Sequence, residues 1–209
     1  MPADRLHLVR HGEVHNPGRV LYGRLPEFRL SIDGRQMAKQ AAEYVHALER
    51  PVGALVSSPL QRARESAEPF THLFGIEPVI DDRVIEPTNV FEGRRMKRAL
   101  MNPLNWRHLR RPAVPSWGEP YARVVARMDA AMTDAWTRVD SGDVVIVSHQ
   151  LPIWITHLAV AGRPLKHDPR TRRCALSSVT SFEKRGHRWV EVGYAEPAAT
   201  SGAVDVGAV

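Results

Sequence analysis

The run Asp143-Val144-Val145-Ile146-Val147 constrains the fold of this chain more than any other stretch. Its apolar residues do not alternate with polar ones, so neither face of the strand they form can be left to water. Strands buried on both faces belong to sheets covered by helices on two sides, the habit of parallel α/β sheets. The remaining sequence must therefore supply further strands to flank this one and amphipathic helices to cover them.

It does so in alternation. Residues 5–10, Arg5-Leu6-His7-Leu8-Val9-Arg10, form a short alternating strand. A loop containing Gly, Pro and Arg follows to about residue 30. Ser31 can cap the next helix, whose apolar face is Met37, Ala41, Tyr44, Val45 and Leu48. Residues 52–57 form a second strand. Ser58-Pro59-Leu60-Gln61 then predicts a helix start, with Ser58 as N-cap, Pro59 at the first helical position and Gln61 completing a capping box. Leu60, Ala63, Ala67, Phe70 and Phe74 give that helix its buried stripe. Pro78-Val79-Ile80 is a weaker third strand. The basic stretch 93–112 predicts two short helices broken at Asn102-Pro103. Tyr121, Val124, Val125, Met128, Ala131, Met132, Ala135, Trp136 and Val139 mark a long helix. Residues 152–161 form an apolar helix stopped by Gly162. Residues 175–183 and 188–192 close the fold as strands turning at Gly186.

Alternating strands and helices of this kind predict one three-layer α/β/α domain, with a mostly parallel sheet, over residues 1–195. Residues 87–115 are expected to be a basic cap-like insertion and 196–209 a flexible tail. No repeat or linker divides the chain. Cys174 is the single cysteine, so an internal disulfide or a cysteine-rich zinc site is excluded, and it reads as a small buried hydrophobe. No stretch approaches the roughly 20 apolar residues that cross a bilayer. Together these features predict a cytoplasmic protein with no membrane partner. A net charge of +6 favours anionic partners. The basic residues are not interleaved with aromatics as in a single-strand binder, so a small phosphorylated compound is expected rather than nucleic acid.

Ligands of parallel sheets bind beyond the carboxyl ends of the strands. Arg10-His11 follows the first strand, Ser57-Ser58 and Arg62 the second, and Ser148-His149 the buried one. The fold alone would therefore gather two histidines, two arginines and helix N-termini at one edge, a setting suited to phosphate. His7 lies on the alternating strand and reads as structural, Arg64 as a solvated helix residue. His15 is a candidate pocket residue of the first loop.

Leu8-Val9-Arg10-His11-Gly12-Glu13 resembles the Arg-His-Gly signature of the histidine phosphatase superfamily, which includes the phosphoglycerate mutases and many small phosphatases. Ser57-Ser58-Pro59-Leu60-Gln61-Arg62-Ala63 resembles its second motif and Val147-Ser148-His149 its last. The resemblance covers residues 5 to 193. It implies a phosphoglycerate mutase-like fold and a nucleophilic His11, with one ring nitrogen held by a backbone carbonyl. It implies that Arg10, Arg62 and His149 surround the phosphoryl group and that Asn16 touches it. Glu86, in Arg83-Val84-Ile85-Glu86-Pro87, matches the proton donor, and Glu13 is the second choice. Glu92, in Phe91-Glu92-Gly93, resembles the later Trp-Glu-Gly element.

Such a set suits phosphoryl transfer. Fixed guanidinium groups stabilise charge spread over the equatorial oxygens, and a neutral imidazole attacks without a metal or other cofactor. The sequence departs from the family at His149-Gln150-Leu151, where His-Gly-Gly is usual, and the chain is shorter than a typical mutase of the family. The expected activity is metal-independent phosphomonoester hydrolysis through a phosphohistidine on His11. A phosphoglycerate mutase is the alternative within enzymes, and a non-catalytic phosphate-ligand or nucleic-acid binder the alternative outside them. Residues 94–111 are either a solvated basic face or a cap over the site, with Trp106 as a flat wall. Tyr22, Arg24 and Gln150 are candidate rim residues.

Overall fold

The computed structural model describes residues 3–109 and 117–198. Six strands form one sheet in the order β3-β2-β4-β1-β5-β6. The strands are β1 (Leu6–Arg10), β2 (Val52–Ser57), β3 (Val79–Ile80), β4 (Asp143–Ser148), β5 (Val179–Arg185) and β6 (Arg188–Ala195). The first four run parallel, β5 pairs antiparallel with β1, and β6 pairs antiparallel with β5. The helices are α1 (Ile32–His46), α2 (Gln61–Phe74), α3 (Met96–Met101), α4 (Tyr121–Thr137) and α5 (Gln150–Val160). None of the described helices is long and apolar enough to cross a membrane.

The β4 run behaves as its composition requires. All six of its residues are buried. Val145 and Val147 pack with Ala41, Val45, Ala63, Ala67 and Phe70 of α1 and α2. Val144 and Ile146 face the opposite way, into Val124, Met128, Met132, Ile153 and Ile155 of α4 and α5. The alternation of a strand thus divides one apolar run between two helical layers.

Several boundaries differ from the sequence reading. Ser31 caps α1 as expected, its hydroxyl accepting from the Gly34 N–H at 2.9 Å. The helix after β2 instead begins at Gln61, with Leu60 as its N-cap and no side-chain cap. The Ser58 hydroxyl is engaged by a buried imidazole, and Gln61 bonds forward to Glu65. Strand β5 begins at Val179 rather than 175, because Ser177 takes a left-handed φ of 54° and turns the chain under His11. Ser177 N–H donates to the His11 carbonyl in that turn. Ala198 is buried against Met37 and Leu176, so packing continues past residue 195. Residues 110–115 of the expected insertion and 199–209 of the expected tail lie outside the described residues.

His7 is structural, as read. It joins Ser181 (2.8 Å) to Asp143 (3.1 Å), and Arg50 clamps that carboxylate through two contacts of 2.8 Å. The network ties β5, β1 and β4 together at the end of the sheet opposite the helix-capped site.

Gly12 is required by close approach. A Cβ there would lie 2.2 Å from the Gly34 carbonyl oxygen, and one on Gly34 would lie 2.0 Å from the Glu13 carbonyl oxygen. Two backbones meet where only hydrogens fit, which seats α1 against the chain leaving β1. Gly12→Ala is expected to cost roughly 1–3 kcal/mol, read as a lower urea midpoint at unchanged slope. An unchanged midpoint would show that the contact is not constrained.

Candidate active site

Parallel pairing of β1 with β4 places Arg10 opposite Ser148. The next residues, His11 and His149, therefore leave the sheet side by side with ring centroids 5.2 Å apart. From β2 and the start of α2, Ser58 and Arg62 approach the same point. Arg10, His11, Ser58, Arg62, Glu86 and His149 are each no more than 4% exposed. The structure brings these groups together in one buried cluster.

The His11 ring is oriented by its own backbone neighbour. Nδ1 lies 2.7 Å from the Gly12 carbonyl, which can only accept, so the proton sits on Nδ1 and the Nε2 lone pair faces the cluster. Arg62 Nε–H points at that lone pair from 3.3 Å. Burial, then the charges of Arg62 and Arg10, hold the imidazole well below its ordinary pKa, against the opposing pull of the Gly12 carbonyl. A neutral ring with a bare Nε2 is the nucleophilic form.

Arg62 is itself fixed. Its Nη2 donates to the Gly23 carbonyl at 2.7 Å, and its guanidinium lies 4.7 Å from the centre of the Tyr22 ring. Arg10 Nη1 donates to the Cys174 carbonyl at 2.6 Å. His149 Nε2 meets Ser58 Oγ at 2.7 Å, while its Nδ1 lies 3.9 Å from Glu86 and has no hydrogen-bond partner. Burial and then Arg62 and His11 push His149 well below its ordinary pKa too. The permanent positive charge of the cluster thus comes from guanidinium groups.

Glu86 is the opposite case. Burial raises its carboxyl to about 7, against the pull of Arg62, Arg172, Arg10 and Arg127. Its Oε1 is buried without a partner. A carboxyl that is part protonated near neutral pH, beside a neutral imidazole and fixed cations, can give a proton in one step and take one in the next.

The loop from Tyr22 to Arg24 closes over these groups. Tyr22 is 3% exposed, 6.3 Å ring to ring from His11. Arg24 donates to the Glu86 carbonyl at 2.5 Å. Glu92 Oε1 accepts the N–H groups of Arg24 and Asn89, both at 3.1 Å, and packs where a Cβ on Gly23 would be. Leu21 pairs with the Gly93–Arg94 backbone, and its side chain meets Phe91 and Ala99. The described part of the basic segment thus braces the first loop. Trp106, on the 3-10 turn of that segment, is 59% exposed.

Other predicted residues make further contacts of their own. Asn16 bonds both the N–H and the carbonyl of Val20, which closes the first loop on itself. The Glu13 carboxylate accepts from the Ser31 hydroxyl at 2.5 Å, at the α1 N-terminus. His15 is exposed. Gln150 accepts from Arg172 at 3.2 Å. Sequence reasoning missed Arg172, and it gave Ser58 a capping role instead of a bond to His149.

Residues 6–197 match the histidine phosphatase superfamily (branch 1). The Mycobacterium tuberculosis (strain H37Rv) protein Rv0525 is 48% identical over 204 residues, covering 95% of this chain and all of that protein. A probable phosphoglycerate mutase, GpmB of Escherichia fergusonii, is 27% identical over 91% of this chain and 89% of its own length. Among solved structures, the mycobacterial glucosyl-3-phosphoglycerate phosphatase Rv2419c with inorganic phosphate superposes with a TM-score of 0.75. It is 24% identical, over 94% of this chain and 100% of that one.

The Glu86 carboxyl carries a stability cost that can be measured. Its folded pKa of about 7 exceeds the ordinary 4.5, so the folded state binds more protons between these values and stability falls as pH rises through them. Glu86→Gln removes the cost, with a gain of up to about 3 kcal/mol above neutral pH. The melting temperature should exceed the parent's at pH 8, and the gap should shrink toward pH 5. A variant less stable than the parent at pH 8 would contradict this assignment.

Proposed function

The chain belongs to branch 1 of the histidine phosphatase superfamily, and on that premise we propose that it hydrolyses phosphomonoesters through a phosphohistidine on His11. The observation that carries the proposal is the committed His11 ring, with Nδ1–H on the Gly12 carbonyl and Nε2 turned toward Arg62. Nε2 attacks phosphorus, the N–P bond forms and the P–O bond to the alcohol breaks. Arg10 and Arg62 take the equatorial oxygens as charge spreads over them. A bound dianion also raises the proton affinity of His149, whose imidazolium would add to the clamp. Glu86 gives its proton to the leaving alkoxide. In the second step the ionised Glu86 takes a proton from water, which attacks phosphorus and releases His11.

The bond of Arg62 Nη2 to the Gly23 carbonyl and the contact with the Tyr22 ring hold the guanidinium in place and leave it further N–H groups for phosphoryl oxygens. No metal takes part, because fixed guanidinium groups supply the charge that a cation would.

Likeness to a probable phosphoglycerate mutase supports a second reading, transfer of the phosphoryl group between hydroxyls of a sugar acid. Hydrolysis is preferred because Gln150 and Leu151 place side chains beside His149 where the family usually leaves open glycine backbone. Priming of phosphoglycerate isomerisation by a bisphosphorylated glycerate would decide for the mutase.

Phosphate release from a panel of phosphomonoesters, with a chelator present, is the test. The parent should turn over, and His11→Ala should lose roughly 10³-fold or more in kcat/KM. Undiminished turnover by His11→Ala would reject the nucleophile. Activity should also follow a bell in pH. The acid limb lies below 6.5, where His11 becomes protonated, and the alkaline limb near 7, where Glu86 ionises. With p-nitrophenyl phosphate, whose leaving group needs no acid, Glu86→Gln should give a stoichiometric burst and then slow turnover. A variant with unchanged steady turnover on alkyl phosphates would remove Glu86 from the mechanism.

A further inference from the structure

Glu86 follows the short 3-10 turn Asp82–Val84 and lies in no helix or strand, yet its backbone is held from three sides. Arg127 Nη1, from α4, donates to the Arg83 carbonyl at 2.5 Å. The Ser148 hydroxyl, at the end of β4, donates to the Val84 carbonyl at 2.7 Å. Arg24 Nε, from the first loop, donates to the Glu86 carbonyl at 2.5 Å. Three different elements thus grip three carbonyls of one four-residue stretch. Ser148 is fixed by its strand. The two arginines reach their carbonyls on long side chains, whose ordering costs entropy and needs a further hold.

One carboxylate supplies that hold for both. Glu119, just before α4, accepts from Arg127 Nε and Nη2, each at 3.0 Å. This two-bonded pair fixes the plane of the guanidinium and leaves Nη1 aimed at the Arg83 carbonyl. The same Glu119 oxygen that receives Arg127 Nη2 lies 3.6 Å from Arg24 Nη2. Among the described residues, no other carboxylate pairs with either arginine. The Glu119 and Arg127 side chains are 10% and 14% exposed, so water and salt screen their attraction weakly. Glu119 therefore stands at the point where two of the three grips on the Glu86 segment meet.

We propose that Glu119 is a positioning residue. It holds Arg127 and Arg24 on the backbone around Glu86 and so sets the Glu86 carboxyl where it meets the leaving oxygen. In this role it acts only through Glu86. A proton donor displaced by about 1 Å can lose up to roughly 10²-fold of its effect, so a hold on the backbone is felt in the chemistry. This deepens the phosphatase reading and rests on it.

The leaving group separates this role from a merely structural one. An alkyl phosphate needs a proton on its leaving oxygen, whereas p-nitrophenyl phosphate does not, and both meet the same nucleophile and cations. The ratio of kcat/KM for an alkyl phosphate that the parent hydrolyses, sn-glycerol 3-phosphate in the first instance, to kcat/KM for p-nitrophenyl phosphate therefore reads the acid. Glu119→Gln should lower this ratio about tenfold. In a Glu86→Gln background the same change should move it less than about twofold, because the acid it positions is gone. Arg24→Leu, at a side chain 33% exposed, should lower the ratio in the parent background. Damage to the whole cluster would lower both rates together. An unmoved ratio in Glu119→Gln, or an equal loss in both backgrounds, overturns the proposal. Should Glu119→Gln fail to fold, an unmoved ratio in Arg24→Leu overturns it. A parent that hydrolyses no alkyl phosphate, or a ratio unmoved by Glu86→Gln itself, removes Glu86 as the acid and sinks the reading beneath the proposal. A ratio moved by Glu86→Gln but not by Glu119→Gln removes only the role of Glu119.

Discussion

Parallel pairing of β1 with β4 is the constraint on which the rest of the site depends. With Arg10 opposite Ser148, the His11 N–H donates to the Ser148 carbonyl at 3.1 Å, and the two imidazoles emerge as neighbours. A slip of one residue would turn each side chain to the face it does not now occupy. The register is held because a slip would carry Asp143 or Ser148, the polar ends of β4, into positions that the apolar layers cannot satisfy. It is held again at the far end by the His7, Asp143 and Arg50 network. A stretch of valines and isoleucine, with no chemistry of its own, thereby sets the distance between two catalytic candidates.

Once gathered, the polar groups are held in a state that water would not favour. Two arginines and two histidines are almost wholly buried with one carboxyl. The backbone meets part of the need: the carbonyls of Gly12, Gly23 and Cys174 each accept from a member of the cluster. What they leave unmet is an excess of positive charge and unpartnered atoms on Glu86 and His149. A dianionic phosphoryl group would answer both. The cluster is preorganised for an anion at some expense to the stability of the fold, a balance common at functional sites.

The legible part of this protein was the part governed by periodicity. The buried strand, the two helical layers and the carboxyl-end positions of Arg10, His11, Arg62 and His149 all follow from apolar spacing and the geometry of parallel sheets. The roles of His11 and Glu86 came from motif resemblance, since no spacing marks one glutamate as buried. Ser58 was misread because a cap and a site draw on the same hydroxyl, and only the fold shows that His149 claims it. The turn at Ser177 was hidden because serine carries no signal for a positive φ. Arg172 was indistinguishable in the run Arg170-Thr171-Arg172-Arg173. Which of three arginines turns inward depends on where His167 and Gln150 stand, and that is tertiary information.

The central claim is that phosphate passes through Nε2 of His11, and trapping that bond tests it most directly. The protein is mixed with a phosphomonoester, quenched in alkali, digested and mapped by mass spectrometry, with the ring position assigned by phosphorus NMR. The account predicts an acid-labile, alkali-stable phosphoryl group on the His11 peptide, bonded at Nε2. Phosphate on another residue, or turnover with no phosphorylated peptide at any quench time, would contradict it.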